Sequence, residues 1–269
     1  MTWTERQREM LGAMGLRVWA PRADGAPPPA AVEARVAAPR PAPVQPRPAA
    51  PMPAPLAAAA RVPLAARADL ATLGWPELGD AVAACRACSL CESRTQTVFG
   101  VGHEQAHWMV VGEAPGENED QLGEPFVGAA GQLLDRMLAA LSLTRSVEGP
   151  EPPSQRVYIA NTLKCRPPRN RNPSAEEMAQ CEPFLVRQIE LLKPRIILAM
   201  GRFAVLALLR SDAPVGKLRG RVHRYQGVPL IVTYHPAYLL RSLPEKARAW
   251  EDLCLAASVA DSVAEGTAP

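Results

Sequence analysis

Long apolar runs are missing from this 269-residue chain. That excludes a membrane-spanning helix, which needs about 20 predominantly apolar residues. The stretch from Met1 to Glu9 is charged and lacks the apolar segment of a secretory signal. Six cysteines without an export signal imply a reducing, cytoplasmic setting and favour metal binding over disulfides. Histidine and phenylalanine are scarce, four of each, so one found beside a candidate site carries weight. No internal repeat is evident. A strong excess of one charge is also missing: the net charge is +3, and residues 1–68 hold nine Arg against four acids. The remaining residues hold 21 basic and 23 acidic side chains, so nucleic-acid binding has to rest on local patches, not on total charge.

What the chain does have is unevenly placed. Twelve of its 29 prolines lie between Pro21 and Pro55, among Ala and Arg with few aromatics. Such a segment buries too little apolar surface to offset its ordering entropy. The expected organisation is a short amphipathic docking peptide over 1–20, a Pro/Ala-rich disordered linker over 21–63, and one folded domain over 64–261.

Within that domain, continuous β-branched-rich runs alternate with helical patterns. Trp108–Gly112, Val157–Ala160, Arg195–Met200 and Pro229–Thr233 read as strands buried on both faces. Gly131–Leu141, Ser174–Leu192, Arg202–Leu209 and Glu245–Val259 read as helices, with Ser174 as an N-cap followed by acids. The alternation predicts an α/β fold: three α/β/α layers around a four-stranded parallel sheet. Ligands of such sheets bind at the carboxyl ends of the strands. The residues there are Glu113-Ala114-Pro115-Gly116, Asn161, Gly201 and Tyr234-His235-Pro236, so Glu, Asn and His converge on one rim.

Cys85 and Cys88, three apart, are matched far downstream by Cys165 and Cys181. Four soft ligands suit either tetrahedral zinc or an iron–sulfur cubane, and spacing alone does not separate them. Cys91 extends the first group and leaves a rearranged ligand set open. At the rim, Glu113 ends a strand and is the candidate catalytic carboxylate, while Gly112 and Gly116 allow close backbone approach. Phe126, on a glycine-flanked loop, either packs into the core or stacks on a flat base. Asn161 presents a donor and an acceptor together, matching a pyrimidine edge. A neutral His235 can donate to a developing anion. Arg166, Arg169 and Arg171, and then Lys217, Arg219, Arg221 and Arg224, form basic loops suited to phosphates. Tyr238-Leu239-Leu240-Arg241 is a candidate wedge for the gap left by an extruded base.

Taken in register, Cys85-x2-Cys88, Gly112–Asp120, Pro125–Gly128, Asn161–Pro168 and His235–Arg241 resemble the family 4 uracil-DNA glycosylases, over about residues 78 to 256. The resemblance implies a uracil-DNA glycosylase-like fold and an enzyme that flips deoxyuridine out of single- or double-stranded DNA. Hydrolysis of its N-glycosidic bond then begins base excision repair. It further implies a [4Fe–4S] cluster on Cys85, Cys88, Cys165 and Cys181, structural in role. Phe126 would stack on uracil, Asn161 would read its edge, His235 would stabilise the departing base, and Gly112, Ala114 and Gly116 would line the pocket. Arg166, Arg169, Arg219, Tyr238, Leu240 and Arg241 are the expected DNA contacts. Other branches place Asp where this chain has Ala114, so the water-positioning role is assigned to Glu113. A related branch that traps uracil covalently carries a His-containing loop after the Asn strand. Here Lys164–Pro168 stands instead, and ordinary turnover is expected. Ser146–Gln155, with three prolines, reads as a surface insertion. The competing readings are an iron–sulfur electron carrier, which does not need the converging rim, and a zinc nucleic-acid-binding module, which would show no absorption near 400 nm. The expected state is a monomer. Met14–Trp19 resembles the N-terminus of the clamp-loader psi subunit, implying a replication-machinery partner for residues 1–20.

Overall fold

A computed structural model of the chain describes residues 70–264, with Gly12 and Gly266. The docking peptide, the linker and the first residues of the 64–261 domain lie outside these residues. Helices run over Trp75–Ala84 (α1), Leu90–Ser93 (α2), Glu117–Leu122 (α3), Ala129–Ala139 (α4), Ala175–Leu192 (α5), Arg202–Leu209 (α6), Val215–Leu218 (α7), Pro236–Leu239 (α8) and Glu245–Ala264 (α9). Strands run over Val101–Gly102 (β1), Trp108–Gly112 (β2), Val157–Asn161 (β3), Ile196–Met200 (β4), Val222–Tyr225 (β5) and Val228–Thr233 (β6). Among the described residues no helix is long and apolar enough to cross a membrane.

The sheet order is β1-β3-β2-β4-β6-β5. Its centre, β3-β2-β4-β6, is parallel, as the apolar runs predict. The sheet has six strands, not four, because antiparallel β1 and β5 close its edges. β1 has two residues, and β5 alternates exposed with half-buried positions. Neither carries the apolar run that marks a strand buried on both faces.

Alternate residues of the central strands feed two cores. Trp108, Val110, Ile159, Leu198 and Ile231 pack with Leu134 and Met137 of α4 and with Trp250 and Leu253 of α9. Met109, Val111, Ala160, Ile197 and Val232 pack with Leu185 and Ile189 of α5 and with Val205 of α6. These are the three layers. A third cluster joins Leu78 and Val82 of α1 to Leu163, Cys165, Cys181 and Phe184, so it binds the N-terminal helices to the segment after β3. The chain leaves β2 for β3 on one side and then crosses to β4 on the other. That makes the end of β2 a switch point, where open α/β sheets form a ligand crevice. The register pairs Gly112 with Asn161 and Met200 with Thr233, so the four parallel strands end together.

Candidate active site

A cavity of about 610 Å³ opens at this rim. Glu113, Ala114, Gly116, Phe126, Asn161, His235, Tyr238 and Arg241 all line it, so the structure brings together most of the sequence-derived candidates. Gly112 lies beneath. Its carbonyl accepts from Thr162 N at 3.0 Å, and a Cβ there would sit 2.4 Å from Asn161 Oδ1 and 2.6 Å from Phe126 Cζ. The absence of a Cβ at Gly112 therefore leaves room for those two side chains.

Asn161 ends β3 and is only 2% exposed, yet its Oδ1 is a buried acceptor with no hydrogen-bond partner. Leaving such an atom unpaired costs on the order of 1–3 kcal/mol. Phe126 is 5% exposed and takes a left-handed backbone, φ 56°, rare for a bulky residue. Its ring lies 5.4 Å from that of His235, inclined by 29°.

His235 caps the short α8. Its Nδ1 accepts from Ala237 N at 3.2 Å, which puts the ring proton on Nε2. Burial lowers its pKa to about 4, with Arg241 acting in the same direction and Glu119 opposing, so the imidazole is neutral at pH 7 and a donor through Nε2. Glu113 follows β2. Its carbonyl accepts from Leu163 N at 3.1 Å and from the Thr162 hydroxyl, tying this segment to the one after β3. Burial raises the pKa of its carboxyl, which makes the ionised form a stronger base.

The expected DNA-contact residues divide. Tyr238 and Leu240 are 40% and 43% exposed, an apolar pair beside the cavity mouth. Arg166 stands next to the lining, donating to Asn170 Oδ1 at 2.8 Å and 3.6 Å from Glu117. Arg169 is exposed on the following turn. Arg219 is not at the cavity. Its guanidinium is paired with Asp252 and Glu251, both at 3.0 Å, and it braces α7 against α9. A charge run shows only that cations are near one another, not which carboxylates already hold them. The cavity also takes in Glu119, Arg171 and Arg202. Arg202 directly follows Gly201 on the rim, and that position was the available signal. Glu119 is hidden in sequence among helix-start acids, yet its Oε1 accepts from Val127 N and Gly128 N at 3.0 and 3.1 Å.

Cys85, Cys88, Cys91, Cys165 and Cys181 line a second, small cavity with Arg94 and Lys164. None of them is in a disulfide. Among the described residues no three metal-binding side chains close on a single point. Arg94 donates to Cys165 Sγ at 3.0 Å and Lys164 N to Cys181 Sγ at 3.2 Å. Burial pushes the Cys181 thiol up to about 12, and raises those of Cys88 and Cys165. Lys164 is 1% exposed, and its Nζ donates to Asn161 O at 2.9 Å and Gln188 Oε1 at 2.6 Å, both uncharged. Burial lowers its pKa to about 8 while the neighbouring Cys181 and Cys165 raise it. A buried cation with uncharged oxygen partners beside sulfur donors fits a site whose thiols are thiolates.

The family model of the uracil DNA glycosylase superfamily matches residues 99–254, more than half of the chain. A type-4 uracil-DNA glycosylase of Archaeoglobus fulgidus is 42% identical over 167 residues, covering 59% of this chain and 79% of that protein. One from Pyrobaculum aerophilum is 40% identical over 189 residues, covering 66% and 91%. One from Thermotoga maritima is 39% identical over 173 residues, covering 64% and 85%. The chain belongs to the uracil DNA glycosylase superfamily and, within it, to the type-4 uracil-DNA glycosylases.

Proposed function

We propose that this chain removes uracil from DNA by hydrolysing the bond between N1 of the base and C1′ of deoxyribose, with the rim cavity as its active site. The observation that carries the site is the orphaned, buried Asn161 Oδ1. Uracil N3–H is a donor that would satisfy it, and cytosine carries no proton at that nitrogen. Phe126 offers a flat apolar face for the flipped base, with Gly112 leaving space for both side chains. As the N1–C1′ bond breaks, its electron pair passes to the base and the sugar gains oxocarbenium character. The Nε2–H of neutral His235 donates to the charge developing on the uracil carbonyl. The Glu113 carboxylate stabilises the sugar cation and takes a proton from the water that attacks C1′. Uracil and an abasic sugar are the products. Arg166, Arg169 and Arg241 hold phosphates, and Tyr238 and Leu240 fill the gap in the stack.

The same reading places a [4Fe–4S] cluster on Cys85, Cys88, Cys165 and Cys181. Thiols spread around a cavity suit a polynuclear group in which each iron takes one thiolate. Such a cluster supplies structural cross-linking and negative charge beside Lys164, and needs no redox step. The working unit is a monomeric domain over 64–261, with residues 1–20 serving as a docking peptide.

Incubation with an oligonucleotide holding one deoxyuridine, followed by alkali, tests the activity. Cleavage at that position by a brown preparation absorbing near 400 nm is expected. An intact oligonucleotide would sink the reading.

A further inference from the structure

We propose that Arg145 is a positioning residue for uracil excision, holding Phe126 in its stacking pose through a guanidinium clamp on the Phe126 backbone. The inference rests on the reading of Phe126 as the base-stacking ring.

Phe126 sits in a conformation its own sequence does not favour. Its left-handed φ of 56° is unusual for an aromatic residue, and something around it has to hold it there. Arg145 does so from the carbonyl side. Its Nη1 donates to Pro125 O at 2.8 Å and its Nη2 to Phe126 O at 2.9 Å. Nη2 also donates to Asp135 Oδ2 of α4 at 2.8 Å, which aims the guanidinium. From the amide side, the carboxylate of Glu119 takes the next two N–H groups, Val127 and Gly128. The loop that carries the ring is thus gripped by one charged group on each side.

Two further features make the grip specific. The Phe126 carbonyl lies hard against α4, where a Cβ at Gly131 would come within 1.7 Å of it. The backbone of Arg145 is anchored in turn. Its neighbour Thr144 forms a bridge to Arg156, and the Thr144 carbonyl accepts from Val157 N at 2.9 Å, at the start of β3. Arg145 is therefore referenced to the strand that ends in Asn161. Ring and base reader are set from the same element, at opposite ends. Arg145 does not line the cavity, and of the groups its guanidinium holds only Phe126 does, so the direct route to a bound base is through Phe126.

Removing the guanidinium leaves two carbonyls without their charged donor. Phe126 is then free to relax to negative φ, which turns its ring out of the plane needed for stacking. A double-mutant cycle on single-turnover excision separates this from general weakening of the fold. At saturating enzyme, Arg145→Gln is expected to slow excision about 10- to 100-fold, with Arg145→Lys intermediate because it restores one charged donor. In a Phe126→Ala background, Arg145→Gln should cause no further loss. Equal losses in both backgrounds, or an unchanged rate in Arg145→Gln alone, would overturn the proposal. If Arg145→Gln does not fold, the lysine variant carries the same cycle. An inactive wild type run alongside overturns the excision reading and this one with it. An active wild type with additive losses overturns this one alone.

Discussion

Three side chains at or just after strand ends, Asn161, His235 and Glu113, have surroundings that fit the tasks proposed for them. Asn161 is useful because its oxygen is buried and unpaired, a cost that a matching donor relieves. Asn161→Ala should lower kcat/KM for uracil excision by about 1–3 kcal/mol, roughly 5- to 150-fold, with little loss of stability. His235 is held neutral. Its folded pKa of about 4 lies below the ordinary value of 6.5, so the unfolded chain binds the extra proton first. The stability associated with neutral His235 is present above about pH 6.5 and is lost as pH falls through about 4. Urea midpoints should therefore fall more steeply from pH 7 to pH 4.5 in the wild type than in His235→Gln; equal slopes contradict the assignment. Glu113 works in the opposite sense. Its raised pKa means that, as pH drops, the carboxylate proposed as the base is lost above the usual carboxylate range. The acid limb of the pH–rate profile should lie above pH 4.5, and Glu113→Gln should flatten it while slowing the reaction.

Elements decide which of these residues could be found in the sequence. The parallel strands are legible because burial on both faces demands continuous apolar runs, and Trp108–Gly112 begins and ends where its run does. Helix α5 is legible from its cap: the Ser174 hydroxyl accepts from Glu177 N, and the Glu177 carboxylate accepts from Ser174 N at 2.8 Å. Because strand ends align, the sequence alone brings Glu113, Asn161 and His235 to one rim. β1 and β5 escaped because edge strands need no apolar run. That Arg219 stands away from the rim cavity is not legible in sequence, since its partners Glu251 and Asp252 are more than thirty residues away. Arg145 escaped for a related reason, being tied to backbone carbonyls that carry no residue signature. The α5 cap reaches the site, because Glu177 also pairs with Arg171 at the cavity and α5 carries Cys181. Ser174→Ala should cost about 1 kcal/mol in urea unfolding.

At the scale of the molecule, the thiol cavity and the rim cavity share one segment, Asn161–Cys165. Lys164 reaches the Asn161 carbonyl, while its own N–H reaches Cys181 and its neighbour Cys165 meets Arg94. The link between α1 and α2, the segment after β3 and α5 all meet at the thiols, so a cluster there would staple three separate pieces of chain. Cys181→Ser should lower iron content, the 400 nm absorption and the thermal midpoint together, with excision lost as a consequence. Full iron and an unchanged midpoint would contradict that ligand. Residues 64–269 alone should excise uracil as fast as the full chain. The central claim is that the rim is a uracil pocket built around Asn161. Its most direct test is single-turnover release of free base from single-stranded oligonucleotides carrying one deoxyuridine or deoxycytidine. Stoichiometric release of uracil, no release of cytosine, which lacks the N3 proton, and slower uracil release by Asn161→Ala are expected. An intact uracil oligonucleotide, or equal rates for wild type and Asn161→Ala, would contradict the account.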